Sequence, residues 1–282
     1  MSRESPSRPP LRNRWLVSSR HRLLYCPITK VANTSFRAWM LQIEGQWRPE
    51  YRQTDYLAGA TRPLLLSARP REEIEEIRGS FYSFVFVRSP FTRLASAFLN
   101  KFVDRKPVRL QAATDIEEEI RAGWWTRAPI PERLKHRRVR HRARKGISFR
   151  EFVEYVARKD SAELDDHWAP QHEFLDGIEP DFVGRFETLR EDVARLEVAL
   201  AERGARTPVR LVLPHRNRTE YAPVGGPFAG DISSRDLRSV APRPRPVQLY
   251  DPPLEALVVE RFRRDFDQFG YATTLVQPAP IA

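Results

Sequence analysis

A chain of 282 residues, 41% of them hydrophobic, is long enough to bury a full core in one large domain or two small ones. Lys plus Arg outnumber Asp plus Glu by 48 to 37, and the resulting +11 favours anionic partners: nucleotides, nucleic acid, acidic glycans or membrane surfaces. The single cysteine, Cys26, excludes an internal disulfide and a Cys/His metal site, and no apolar run is long enough to span a bilayer.

Residues 1 to about 19 are rich in proline and arginine and lack the apolar core of a signal peptide, so a flexible tail on a soluble, cytoplasmic protein is expected. Leu23 to Ile28 is a short apolar run before a turn, the pattern of a buried strand, with Thr34 or Ser35 placed to cap the helix that follows. Leu64-Leu65-Leu66 reads as a further strand, and 70–78 as a helix with Glu in its first turn. Phe81 to Val87 is aromatic and β-branched with no polar face, the clearest strand of the chain. Pro90 then opens a helix predicted to run to about Phe102. Strand and helix alternate, which predicts an α/β fold with a central parallel sheet flanked by helices.

The segment near 105–146 breaks this rhythm. It has little apolar periodicity and carries Arg133, Lys135, Arg137, Arg138, Arg140, Arg142, Arg144 and Lys145, so it reads as a basic insertion within a domain spanning 20–282. Beyond it, 149–158 is an amphipathic helix, 182–186 a short strand, and 189–203 a helix closed by Gly204. Pro242 to Pro246 is a loop, and 254–269 has the apolar spacing of a C-terminal helix.

Two strand–turn–helix units carry cationic or hydroxyl groups at their turns. A helix N-terminus presents unpaired N–H groups and a positive dipole end, which together hold a phosphate. At the first turn the amides of Val31, Ala32, Asn33, Thr34 and Ser35 would surround one anion, with Lys30 adding a charge. Both glycines of the familiar nucleoside-triphosphate loop are missing, so this is a phosphate loop of another type. At the second turn Arg88 ends the strand, and Arg93, Ser96 and Asn100 share one helix face; the opposite face, Leu94, Ala95, Phe98 and Phe102, is expected to pack on the sheet. Two anion sites on one sheet point to a ligand with two separate phosphates.

Cys26-Pro27-Ile28-Thr29-Lys30-Val31-Ala32-Asn33-Thr34-Ser35 resembles the 5′-phosphosulfate loop of the Golgi carbohydrate sulfotransferases, the group that includes chondroitin 4-O-sulfotransferase (sulfotransferase family 2). The run from Phe86 through Arg88 and Ser96 to Phe102 is similar to their 3′-phosphate site. Further matches are His167-Trp168-Ala169-Pro170-Gln171-His172, the run Asp181 to Leu189, and the run Asp265 to Tyr271, all in family order. The resemblance implies the P-loop-like sulfotransferase fold. It implies 3′-phosphoadenosine 5′-phosphosulfate as sulfate donor and a carbohydrate hydroxyl as acceptor, with no metal. Neither the membrane anchor nor the disulfides of the Golgi enzymes are expected here, and the chain looks like a soluble bacterial relative.

On that resemblance the donor would be held by Lys30, Val31 to Ser35, Arg88 and Ser96, with Arg218 and Thr219 carried over from a late family segment. His167 is the leading candidate base, and a role in ordering its loop carries equal weight. His172 is the runner-up, with Asp55 and Asp166 also in play. Trp168 fits either a sugar platform or packing. Arg185 and Glu187 read mainly as members of a structural ion-pair network. The basic run, with Arg137, Arg138 and Arg140 at its centre, is either a solvated loop or a hold for an anionic glycan; nucleic acid is not expected, since no base-stacking module is recognisable. Alternatives from other classes are a P-loop-type kinase and a non-catalytic nucleotide- or nucleic-acid-binding protein.

Overall fold

A computed structural model describes residues 14–52, 54–104, 116–120, 146–204, 211, 221 and 226–275, apart from the side chains of 52, 54 and 55. The chain divides into two units, one made of Met1–Ser89 with Ala169–Arg216 and the other of Pro90–Trp168 with Asn217–Ala282. The Arg133–Lys145 run, including Arg137, Arg138 and Arg140, lies outside the described residues, as do Arg218 and Thr219.

The first unit is built on a four-stranded sheet in the order β1 (Leu16–Ser18), β2 (Leu23–Cys26), β3 (Tyr82–Val87), β4 (Phe182–Arg185). β2, β3 and β4 are parallel, whereas β1 runs antiparallel to β2. Every residue of β3 is buried, as expected of a central strand covered on both faces. Tyr25 of β2 stacks on Phe84 of β3 at 4.9 Å, and Phe36 of helix α1 (Asn33–Ile43) meets Phe86 at 4.4 Å. Gly184 of β4 is required by that packing: a Cβ there would stand 2.3 Å from Cε1 of Phe86. Helices α2 (Thr54–Ala60) and α3 (Arg71–Ser80) lie between β2 and β3 in the chain, and a helix at Leu189–Glu202 follows β4.

Three expectations are corrected here. The tail expected to residue 19 ends sooner, because Trp15, Leu16 and Val17 are fully buried and β1 pairs with β2. Leu64-Leu65-Leu66 is not a strand: two 3-10 turns, Arg62–Leu64 and Leu66–Ala68, flank a single antiparallel bridge between Leu65 and Leu16. Neither Thr34 nor Ser35 caps α1. The cap position is Ala32, in the left-handed region and without a side-chain bond.

The described part of the second unit is helical. Helix α4 (Pro90–Phe98) continues as a π turn over Leu99–Val103, closed by the Asp104 amide donating to the Leu99 carbonyl at 2.8 Å. Phe98 packs on Phe149 and Phe152 at 5.3 and 5.8 Å, so this face of α4 meets the helix Phe149–Arg158. That helix begins with a full capping box, Ser148 with Glu151. The expected helix 254–269 is two helices, Pro252–Arg261 and Arg263–Phe269, broken at Phe262 (φ −110°, ψ 19°). Among the described residues, no helix is long and apolar enough to cross a membrane.

Candidate functional site

In the first unit, the loop after β2 and the residue after β3 leave the carboxyl ends of neighbouring parallel strands, the place where open α/β sheets take ligands. Lys30 and Ala32 both adopt left-handed backbone, at φ 69° and 60°. A non-glycine residue held there costs about 1–2 kcal/mol, so the surrounding fold must impose it. Such alternation of backbone hand turns successive amides toward one point and makes an anion nest. The first bonds of α1 are donated by Ser35 and Phe36 to the Ala32 carbonyl, at 2.9 and 3.3 Å. The amides of Asn33 and Thr34 precede those first donors, at the positive end of the helix dipole. The Asn33 side chain is turned back along the helix, its Oδ1 accepting from Arg37 Nε at 3.1 Å.

Arg88 is buried, 9% exposed, and directly follows β3. Its Nη1 donates to the Lys30 carbonyl at 3.2 Å, and its guanidinium carbon lies 4.3 Å from the centroid of the Phe186 ring. The structure therefore brings Lys30 and Arg88 together. One N–H of the guanidinium fork holds the left-handed turn in place. The ring beneath it supports the charge where water is largely excluded. Gln171, fully buried, grips the Arg88 backbone on both sides: the Arg88 amide donates to Oε1 at 2.9 Å and Nε2 donates to the Arg88 carbonyl at 2.7 Å. Next along the chain, the Ser89 amide donates to Glu187 Oε1 at 3.0 Å, and the Phe186 amide pairs with the Val87 carbonyl at 2.8 Å. Asp192, at the start of Leu189–Glu202, accepts from the Arg185 amide and the Thr188 hydroxyl at 2.6 and 3.0 Å. Arg185 and Glu187 thus serve a bonded network around the ends of β3 and β4. Burial alone would raise the Asp192 carboxyl; the Arg185 amide, Arg195 and Thr188 more than offset this and hold it below the usual carboxylate range.

His172 is half-buried on the 3-10 turn Gln171–Leu175. Cys26 is buried, its Sγ 3.3 Å from the Phe174 carbonyl, and burial pushes its thiol well up, which makes it a packing residue.

In the second unit, Ser96 is half-buried on α4. Arg93, which the helix pattern grouped with Ser96, is instead 2% exposed and donates from Nη2 to the Asp166 carbonyl at 2.9 Å. That carbonyl belongs to a tight turn, Asp165 to Trp168, closed by the Trp168 amide donating to the Asp165 carbonyl at 3.0 Å. Within it both the amide and Nδ1 of His167 meet Asp165 Oδ1, at 2.8 and 2.5 Å. Trp168 is not a sugar platform: it is 2% exposed and lies 6.1 Å from Phe102 and 5.3 Å from Phe152, ring to ring. Its packing anchors the turn from which His167 projects.

Gln171, Phe186 and Asp165 gave no sequence signal of their own as site residues. Gln171 and Phe186 sit inside the two family-like blocks, which was the only hint available.

A sequence profile of the sulfotransferase family matches residues 13–272. The chain is 30% identical over 275 residues to carbohydrate sulfotransferase 10 of Xenopus laevis, covering 92% of this chain and 67% of that protein. It is 29% identical over 213 residues to carbohydrate sulfotransferase 14 of Danio rerio, covering 74% of this chain and 52% of that protein. A third relative, carbohydrate sulfotransferase 11 of Rattus norvegicus, is 27% identical over 187 residues, covering 63% of this chain and 50% of that protein. The chain thus spans between half and two thirds of the length of these relatives. No solved structure matches.

Proposed function

Since the chain belongs to the sulfotransferase family, we propose that it transfers a sulfuryl group from 3′-phosphoadenosine 5′-phosphosulfate to a carbohydrate hydroxyl by in-line displacement, on a P-loop-like fold. The observation that carries this reading is the contact between Arg88 and the left-handed Lys30 turn. It joins a cationic strand end to a helix N-terminus shaped for a phosphate, as a donor with two separated phosphates requires. The names of the relatives support the carbohydrate acceptor.

The bound donor supplies the sulfuryl group and a phosphate oxygen as leaving group. The amides from Val31 to Ser35 and the Lys30 ammonium hold the 5′ end. Charge grows on the leaving oxygen as the bond to sulfur breaks, so these donors stabilise the transition state more than the ground state. Arg88, and Ser96 on the helix that follows it in the chain, take the 3′-phosphate. Arg218 and Thr219 are assigned to the donor by resemblance alone. His167 takes the proton of the acceptor hydroxyl, with His172 as the second choice. The Arg133–Lys145 run, with Arg137, Arg138 and Arg140, holds an anionic glycan through charge contacts that added salt weakens, the Debye length being about 8 Å at physiological salt.

Titration with 3′,5′-adenosine bisphosphate and with ATP, each with and without Mg²⁺, tests the donor. The bisphosphate is expected to bind more tightly, and sulfate transfer to a glycan panel to survive EDTA. Tighter ATP binding with Mg²⁺-dependent turnover would instead establish a kinase. Lys30→Ala should lower kcat/KM by about 100-fold or more while much of the bisphosphate affinity remains; a normal kcat with a raised donor KM would make Lys30 a binding residue only.

A further inference from the structure

The Lys30 carbonyl and the Val31 amide belong to one trans peptide unit, so the carbonyl and the N–H point in opposite directions. Whatever holds the Lys30 carbonyl therefore also aims the Val31 N–H. Arg88 Nη1 holds it, donating at 3.2 Å. Local preference alone would not fix this unit, because Lys30 at φ 69° and Ala32 at φ 60° both stand in the left-handed region, with the buried Val31 between them. Turning the 30–31 peptide over would take its carbonyl off the guanidinium and reverse the Val31 N–H. It would also break the alternation of backbone hand on which an anion nest depends. Arg88 is itself held firmly. Gln171 bonds both of its backbone groups, at 2.9 and 2.7 Å, and the centroid of the Phe186 ring lies 4.3 Å from the guanidinium carbon. All of these residues belong to the first unit. The bond is charge-assisted and mostly shielded from water, Arg88 being 9% exposed. A cation on the carbonyl draws charge through the peptide and makes the N–H opposite a stronger donor, a polarisation that strengthens a linked hydrogen bond by about 10–30%.

We propose that Arg88 is a positioning residue for the chemical step: through the Lys30 carbonyl it orients and polarises the Val31 N–H for the leaving phosphate, whatever the donor carries at its 3′ position. This rests on the reading of the Lys30 loop as the seat of the 5′-phosphosulfate. It gives Arg88 a task separate from the 3′-phosphate. As the acceptor oxygen bonds to sulfur, the bond from sulfur to the donor phosphate breaks, and its electron pair stays on the phosphate oxygen. Charge on that oxygen is greater in the transition state than in the bound donor. An N–H fixed in advance therefore lowers the barrier more than it tightens ground-state binding. A bond from Arg88 to the 3′-phosphate, by contrast, is the same before and during the reaction, and acts on donor affinity.

Adenosine 5′-phosphosulfate carries the reacting end of the donor and no 3′-phosphate, so it separates the two tasks. With this donor, Arg88→Met and Arg88→Lys should each lower kcat by about 10-fold or more, with KM within about twofold. Arg88→Lys keeps a point charge for a phosphate but loses the planar fork, so it should retain much of the affinity for 3′,5′-adenosine bisphosphate that Arg88→Met loses. Amide NMR with 5′-AMP reads the same question without turnover. In the wild-type protein the ligand should move the Val31 amide proton downfield; in Arg88→Met that shift should be clearly smaller, while the Thr34 amide still responds. Amide signals away from the loop report whether each variant keeps its fold. If both variants turn over adenosine 5′-phosphosulfate at the wild-type kcat, or if 5′-AMP moves Val31 equally in wild type and Arg88→Met, the positioning role is wrong and Arg88 is left as a 3′-phosphate ligand. If the wild-type protein transfers sulfate from neither donor and 5′-AMP moves none of the loop amides, the reading of the loop has failed and the proposal falls with it.

Discussion

Gln171 holds Arg88 by both of its backbone groups, accepting from the amide at 2.9 Å and donating to the carbonyl at 2.7 Å across 83 residues of sequence. A side-chain amide that mimics a strand in this way extends the pairing of β3 past its last residue, Val87. The guanidinium is thereby delivered to the Lys30 carbonyl and the face of Phe186.

Replacing Gln171 by Leu keeps the volume and removes both bonds. Each buried backbone group left unpaired costs about 1–3 kcal/mol, so a clear fall in the urea midpoint is expected. Affinity for 3′,5′-adenosine bisphosphate should fall with it, and Gln171→Glu, which keeps only the acceptor, should recover part of both. A variant with wild-type stability and affinity would show that Arg88 is oriented by its other contacts.

Arg88→Ala removes the guanidinium that donates to the Lys30 carbonyl and that is proposed to take the 3′-phosphate. Loss of one charge-assisted contact should weaken binding of the bisphosphate by about 1.5–3 kcal/mol. Affinity for 5′-AMP should fall by less, though not by nothing, since the Lys30 carbonyl loses its Nη1 partner. Calorimetric titration with the two ligands reads the difference. Equal losses would make Arg88 an organiser of the Lys30 turn and remove it from the 3′-phosphate site.

Ala32 is held at φ 60° with no side-chain cap on α1. Glycine relieves about 1–2 kcal/mol of left-handed strain and costs about 0.4–1 kcal/mol through the freer unfolded chain. Ala32→Gly is therefore expected to raise the melting temperature slightly, the reverse of a typical Ala-to-Gly change in a helix, and Ala32→Val to lower it. A marked drop for Ala32→Gly would mean that the left-handed turn is not the resting form of the loop.

The Asp165 carboxyl, at about 2 in the folded protein, lies below the ordinary aspartate value of about 3.9. A depressed pKa contributes stability that is present above the unfolded value and is lost as pH falls from about 4 toward 2. Asp165→Asn should therefore destabilise the protein more at pH 6 than at pH 2.5. The side chain is 40% exposed, so solvent screening keeps the difference small. Equal destabilisation at both pH values would show that the His167 bond does not distinguish the charged form.

The sequence by itself determined the elements whose signal is local. The unbroken apolar run of β3, the amphipathic pattern of Phe149–Arg158 and the cationic turns at Lys30 and Arg88 each depend on neighbours within one or two turns of chain, where periodicity and residue type suffice. β1 escaped notice because three residues at the end of a Pro- and Arg-rich stretch have no period to read; their burial comes from pairing with β2. Arg93 looked like a polar-face residue because helical spacing says which residues share a face and nothing about what covers it. The left-handed turn at Lys30 and Ala32 follows no propensity of those residues; long-range contacts such as that from Arg88 favour it over the local preference. Gln171 at Arg88 and Asp165 at His167 differ in the same way: one joins residues far apart in sequence and the other depends on the hand of a single turn. Hydrogen bonds of that kind are decided only when the tertiary structure has set the partners at bonding distance.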